Sequence, residues 1–392
     1  MTPSFLPTIG RPAGFAAALF LAGLGLTSCG DAKTAEQSAD GSTMTTSDTT
    51  TTMAGADGMA AGAKPVKPAG PAPEWAPTIG PEMQTVIEKL ASLSGPTPPE
   101  KLTPAEVRKG PSATDATMAV MKDFSIPTPP SPLDTMTKEV APGVRARIYT
   151  PKGATGPLPV VVYYHGGGWV IANLDTYDPS VRALAEKTNA IFVSVAYRQA
   201  PENKFPTAHN DSFAAYQWVV KNAASIKGDP TRIAVAGESA GGNLAAAVCM
   251  MARDKGVMQP KHQLLVYPIA DYSMNTPSYQ KNAAAKPLSK PFMAWFFKHY
   301  LRTPADGNSP MISLVKAPNV KGLAPATVIT AGIDPLMSEG KMYADKLQAA
   351  GIAVKYQNYD NVTHEFFGMG GVVPQAAAAQ DLAAGELKNA LK

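Results

Sequence analysis

The clearest pattern along the chain is a set of short apolar runs separated by stretches of helical periodicity. Leu158-Pro159-Val160-Val161-Val162-Tyr163-Tyr164 is continuous and rich in β-branched residues, as a strand covered on both faces requires. Comparable runs at 191–196, 232–236, 263–267, 326–331 and 354–358 predict five more strands. Residues 178–188, 207–224, 240–254, 338–350 and 375–391 carry the spacing and composition of helices. Such alternation predicts an α/β fold whose mostly parallel central sheet is flanked by helices. Residues 271–305 break the rhythm: Phe292-Met293-Ala294-Trp295-Phe296-Phe297-Lys298-His299-Tyr300 follows an irregular loop and reads as an aromatic helix in an insertion over the carboxyl edge of the sheet.

Before the strands, Met83 to Leu90 and Leu93 place apolar groups at helical spacing. Thr103-Pro104-Ala105-Glu106 supplies a Thr N-cap, Pro at the first helical position and Glu three residues after the cap. Two helices are therefore expected before alternation begins at Thr137–Tyr149. Gly30 to about Gly80 is poor in large apolar residues and rich in Ser, Thr, Ala, Gly, Met and Pro, so it cannot bury enough surface to offset the entropy of ordering. The division expected is a disordered tether over 29–80 and one folded domain over 81–392. As a flexible coil, about 50 residues reach roughly 40 Å.

Met1–Ser28 has a positive residue near its start, Arg11, an apolar core from Phe15 to Leu26 and small residues before Cys29. It reads as an export signal, too short for a stable membrane span. Leu26-Thr27-Ser28-Cys29 resembles a bacterial lipobox, in which the chain is cut before Cys29 and that cysteine receives lipid; an ordinary secretory signal with cleavage nearby is the alternative. The expected location is the bacterial cell envelope, with membrane contact only through lipid on Cys29. The second of two cysteines, Cys249, lies in an apolar helix and reads as a buried, inert thiol. Net charge is +4, from 35 Lys and Arg mixed with 31 Asp and Glu, and no basic block points to nucleic acid. No metal-ligand cluster or nucleotide loop is present in the sequence, so neither metal nor cofactor is expected.

Chemistry concentrates in three places. Gly237-Glu238-Ser239-Ala240-Gly241-Gly242 falls where strand 232–236 becomes helix 240–254, the setting of a nucleophile elbow, so tight that Gly237 and Gly241 leave no room for larger side chains. His165-Gly166-Gly167-Gly168-Trp169 follows strand 158–164 and exposes backbone N–H groups; Gly167, Gly168 and Ala240 are the candidate donors to an oxyanion. Among five histidines, His165 reads as shaping its own loop, and His209, His262 and His299 as packing or surface residues. His364 follows the last strand and is the candidate base. The carboxylate orienting it should come from another strand-end loop between serine and histidine. Asp334 fits, with Glu339 and Asp360 as rivals.

In these motifs, together with Tyr197-Arg198-Gln199-Ala200-Pro201-Glu202, Asp334-Pro335-Leu336 and His364-Glu365-Phe366, the chain resembles the hormone-sensitive-lipase family of α/β-hydrolases. The resemblance runs from about Pro81 to the carboxyl terminus. It implies Ser239 as nucleophile, His364 as base and Asp334 as orienter, with a cap from the amino-terminal helices and an insertion before the acid loop, here 81–130 and 271–305. Departures are Ser338 in place of a second acid, followed by Glu339, and Gln199 where leucine is common. The expected activity is hydrolysis of short- to medium-chain acyl esters, a small-molecule substrate. Trp169, Trp295 and Phe296 are the candidate pocket residues. An amidase or other acyl-transfer enzyme on the same triad, and a non-catalytic binding protein on the same scaffold, are the alternatives.

Overall fold

Every run read as a strand pairs into one sheet in the computed structural model, which describes residues 64–392. Residues 1–28, Cys29 and the tether as far as residue 63 lie outside the described residues. In chain order the elements are α1 (Pro81–Leu93), α2 (Pro104–Val107), α3 (Ala113–Asp123), β1 (Leu133–Ala141), β2 (Val144–Pro151), β3 (Leu158–Tyr164), α4 (Asp178–Thr188), β4 (Ile191–Ala196), α5 (Thr207–Asn222) and β5 (Gly228–Glu238). There follow α6 (Ala240–Asp254), β6 (Gln263–Val266), α7 (Pro277–Lys281), α8 (Lys290–Tyr300), β7 (Ala326–Ile333), α9 (Met337–Ala349), β8 (Val354–Thr363) and α10 (Pro374–Ala390). The sheet order is β1-β2-β4-β3-β5-β6-β7-β8, antiparallel at β1–β2 and β2–β4 and parallel elsewhere.

Period-two alternation divides the core in two. Val160, Val162 and Tyr164 of β3 point into one cluster, with α5, α6, α8 and α9, while Val161 and Tyr163 point into the other, with α1, α3, α4 and α10. Both faces of the central strands are therefore covered, which is why they read as unbroken apolar runs.

Among the described residues three α-helices, rather than two, precede β1. The additional one, α3, starts at a capping box between Ser112 and Asp115 and buries Ala116 and Val120. The alternation at Thr137–Tyr149 resolves into a hairpin, β1 and β2, turning at Pro142-Gly143. Packing also begins before Pro81, in residues assigned above to the tether: Ala76 and Ile79 are buried. That stretch is strapped to the domain by Gln84 Nε2, which donates to the carbonyls of Gly70 and Pro71, and by Gly80 N, which donates to Asn361 O at 2.8 Å. Composition alone missed this because a few apolar side chains suffice once a preformed surface receives them. Among the described residues no helix is long and apolar enough to cross a membrane.

Candidate active site

Strand register assembles the site. In the parallel pair β7–β8, Ile333 is opposite Thr363, so the next residues, Asp334 and His364, leave the sheet side by side. In β3–β5, Tyr164 is opposite Gly237, which places the His165–Trp169 loop against the turn carrying Ser239. All four segments emerge at the carboxyl edge of the parallel strands, where open α/β sheets place their ligands.

Ser239 follows β5 and caps α6 with φ 56° and ψ −118°, a left-handed conformation that costs a non-glycine residue of order 1–3 kcal/mol and is held by surrounding structure. Its N–H donates to Val266 O at 2.9 Å, and its carbonyl accepts from Ile269 N at 3.2 Å and from Asn243 N at 3.1 Å. A Cβ on Gly241 would lie on the carbonyl oxygen of Tyr164, and one on Gly237 on the backbone of Gly241. The close turn expected of the glycine pattern is present.

Ser239 Oγ and His364 Nε2 are 2.9 Å apart, and His364 Nδ1 is 2.7 Å from Asp334 Oδ2. The three are 4%, 3% and 0% exposed, so solvent screens little of their interaction. Asp334 Oδ1 accepts from Leu336 N at 2.9 Å, and Asn282 Nδ2 holds the loop through the carbonyls of Gly332 and Asp334. Burial by itself would lower the His364 pKa; the charge and hydrogen bond of Asp334 outweigh it and raise the imidazole above its ordinary value. The arrangement can pass the serine proton to the imidazole and stabilise the cation that forms.

The rival carboxylates face elsewhere. Glu339 is buried in the first turn of α9 and accepts the N–H groups of Ala270 and Asp271, with burial raising its pKa well above the carboxylate range. Asp360 is exposed on β8. His165 Nδ1 is 2.8 Å from Gly166 O, its ring stacks on Tyr197 with centroids 4.3 Å apart, and burial pushes its pKa down to about 4, so it stays neutral and braces its loop. His209 and His262 are buried with hydrogen-bond partners, and His299 packs on Trp295.

Gly167 and Gly168 line the cleft beside Ser239 and His364, and their N–H groups donate to no acceptor among the described residues. Ala240 opens α6, where the first N–H groups of a helix have no internal partner. Arg108, just after α2, clamps the region from the amino-terminal side: it donates to Val170 O at 2.8 Å and Ala200 O at 2.6 Å, and forms a two-pronged pair with Glu202. Gln199, a departure from the family pattern, donates to the carbonyls of Ile171 and Ala172 on the same loop.

A cleft of about 1410 Å³ opens over the serine, walled by α1, the segment 94–115, and residues 283–296. Phe296 lines it, its ring against Gly168. Two of the three expected pocket residues do not line it. Trp169 is fully buried behind the glycine loop, stacked on Tyr300 with centroids 4.4 Å apart, and Trp295 turns toward the amino-terminal segment, donating from Nε1 to Leu102 O at 3.0 Å. Sequence order could not tell which side of α8 or of the loop each indole takes. Sequence reasoning also missed Glu238, Glu365 and Tyr177, which gather around the serine and histidine: Tyr177 Oη donates to Glu365 Oε1 at 2.6 Å, and Glu238 accepts from Tyr163 and Tyr267. For the two glutamates the available signal was adjacency to Ser239 and His364; Tyr177 carried none. Among the described residues no group of three or more His, Cys, Asp or Glu is arranged to hold a metal ion.

Residues 161–368 match the family model described as alpha/beta hydrolase fold. Carboxylesterase NlhH of Mycobacterium tuberculosis is 43% identical over 251 residues, 63% of this chain and 79% of that protein. Esterase LipI of the same organism is 38% identical over 261 residues, 66% of this chain and 78% of LipI. The crystal structure of a thermostable esterase from Pseudomonas putida ECU1011 superposes with a TM-score of 0.72 at 33% identity, covering 81% of this chain and 99% of that one. With the register-built serine, histidine and aspartate already in place, these likenesses settle its membership: the chain belongs to the α/β-hydrolase family, of the hormone-sensitive-lipase type.

Proposed function

We propose that the protein is a serine carboxylesterase that works through an acyl-enzyme on Ser239. The observation carrying this reading is the unbroken relay from Ser239 Oγ through His364 to Asp334, at 2.9 and 2.7 Å. Ser239 attacks the ester carbonyl while His364 Nε2 takes its proton. The oxyanion rests on N–H groups of Gly167, Gly168 and Ala240, and the alcohol leaves with the proton returned by His364. Water activated by the same imidazole then releases the acid. The esterases among its relatives support the ester class.

The substrate reading is a short- to medium-chain acyl ester. The cleft of about 1410 Å³ exceeds the roughly 300–1,000 Å³ of ordinary small-molecule pockets, so a short acyl chain beneath Phe296 leaves room for a bulky alcohol half. Two measurements test the proposal. Purified Ser239→Ala should lose on the order of a millionfold in turnover and all labelling by a fluorophosphonate; near-wild-type hydrolysis by that variant would end the assignment. A chain-length series of nitrophenyl esters, run beside matched amides, tests the substrate class. Preference for emulsified long-chain triglyceride, or for the amides, would overturn it.

A further inference from the structure

Behind the nucleophile lies a group of titratable side chains that the mechanism above does not use. Glu238, the residue before Ser239, is buried, and the hydroxyls of Tyr163 and Tyr267 donate one to each of its carboxyl oxygens. Glu365, the residue after His364, accepts from Tyr177. Both carboxyls border one cavity of about 10 Å³ that Ser180 and Tyr177 also line, the room of a single water molecule. The charge of Glu365 adds to burial in raising the pKa of Glu238, so the two carboxyls are electrostatically coupled.

Their surroundings differ. Glu238 is sealed from solvent, and burial, then the charge of Glu365, push its pKa up to about 7. The Glu365 side chain is 21% exposed, into the cleft, and its Oε1 lies 3.9 Å from His364 Nε2. Burial raises its pKa too, but the imidazole opposes that rise. The other titratable groups whose charge bears on Glu365 are Asp334, Tyr163, Tyr177 and Tyr267. Glu365 is the carboxyl that faces the imidazole, and its charge, together with that of Asp334, raises the His364 pKa. Glu365 also sits at φ 70°, left-handed backbone that glycine would adopt without strain.

We propose that Glu365, held by Tyr177, is a positioning residue for His364, a second carboxylate on the Nε2 side of the imidazole where Asp334 serves the Nδ1 side. The serine proton moves to Nε2 as before and Glu365 takes none; its charge favours the imidazolium while the proton is there. This rests on the triad reading of the preceding subsection.

The test is the acid limb of kcat/KM against pH, followed with a nitrophenyl ester and, independently of turnover, by the rate of fluorophosphonate labelling at Ser239. Losing the Glu365 charge lowers the His364 pKa, so a larger fraction of the base is neutral at a given low pH. In Glu365→Gln the limb should move to lower pH by about half to one unit, with kcat reduced several-fold and KM held. Glu365→Asp should keep the wild-type limb. Tyr177→Phe, which removes the donor that favours ionised Glu365, should move it down by less. An unmoved limb in soluble Glu365→Gln overturns the proposal and leaves the esterase reading intact; if that variant does not fold, an unmoved limb in Tyr177→Phe does the same. Wild-type labelling without ester turnover would instead refute the esterase reading.

Discussion

Replacing Asp334 by Asn tests the relay with almost no change of shape. The carboxylate makes two well-separated contacts, Oδ1 with the N–H of Leu336 at 2.9 Å and Oδ2 with His364 Nδ1 at 2.7 Å. An asparagine keeps the first by presenting its carbonyl oxygen to Leu336, which turns its amide NH₂ toward Nδ1. An NH₂ there needs an acceptor, so the imidazole proton moves to Nε2. A protonated Nε2 cannot take the proton of Ser239, although it still lies 2.9 Å away. Wrong-tautomer variants of serine hydrolases lose about 10⁴ in kcat, close to 5.5 kcal/mol of barrier at 1.36 kcal/mol per decade. Because the Asp334 charge also raises the His364 pKa, its loss shifts the acid limb to lower pH, and added protonation cannot explain the lost rate. The assay is single-substrate turnover of a nitrophenyl ester from pH 5 to 9, with folding followed by circular dichroism. A folded Asp334→Asn enzyme retaining more than about a tenth of wild-type kcat would refute the relay.

Three further outcomes are open to measurement. Arg108→Ala removes donors to Val170 O, Ala200 O and Glu202; the 94–115 segment should be cut faster in limited proteolysis and KM should rise, while global stability changes little, as for partly exposed ion pairs worth about 1 kcal/mol or less. Phe296→Ala opens the cleft over Gly168 and should shift preference toward longer or branched acyl groups in the nitrophenyl series, at about 3 kcal/mol of stability by urea unfolding. If Cys29 is the lipid acceptor, Cys29→Ala expressed in a bacterial host should lose incorporation of labelled palmitate and partition away from the membrane fraction.

Much of the fold was legible because its central strands are covered on both faces. Val160–Val162, Ile191–Val193 and Leu264–Val266 must be apolar at every position. The hairpin was harder: Asp134–Glu139 of the edge strand β1 is exposed throughout, so no face imposes a period on it. Helix α3 carried its own signal, Ser112 followed three residues later by Asp115, but its apolar stripe is thin. Ser239, His364 and Asp334 could be read because each directly follows a recognisable strand. Trp169 and Trp295 could not be placed, since a side chain's direction depends on packing partners far away in sequence. Glu238 and Glu365 meet across 127 positions, and only β-sheet register brings them together.

The strap before α1 has a practical and a mechanical side. A recombinant version trimmed to Pro81 would strip Ala76 and Ile79 from their seats and sever the bond from Gly80 to Asn361, three residues ahead of His364. Starting the chain upstream of residue 64 would spare that attachment. A pull on the amino-terminal end would likewise reach the last strand close to the imidazole, so immobilising the enzyme by that end is a way to load the base directly.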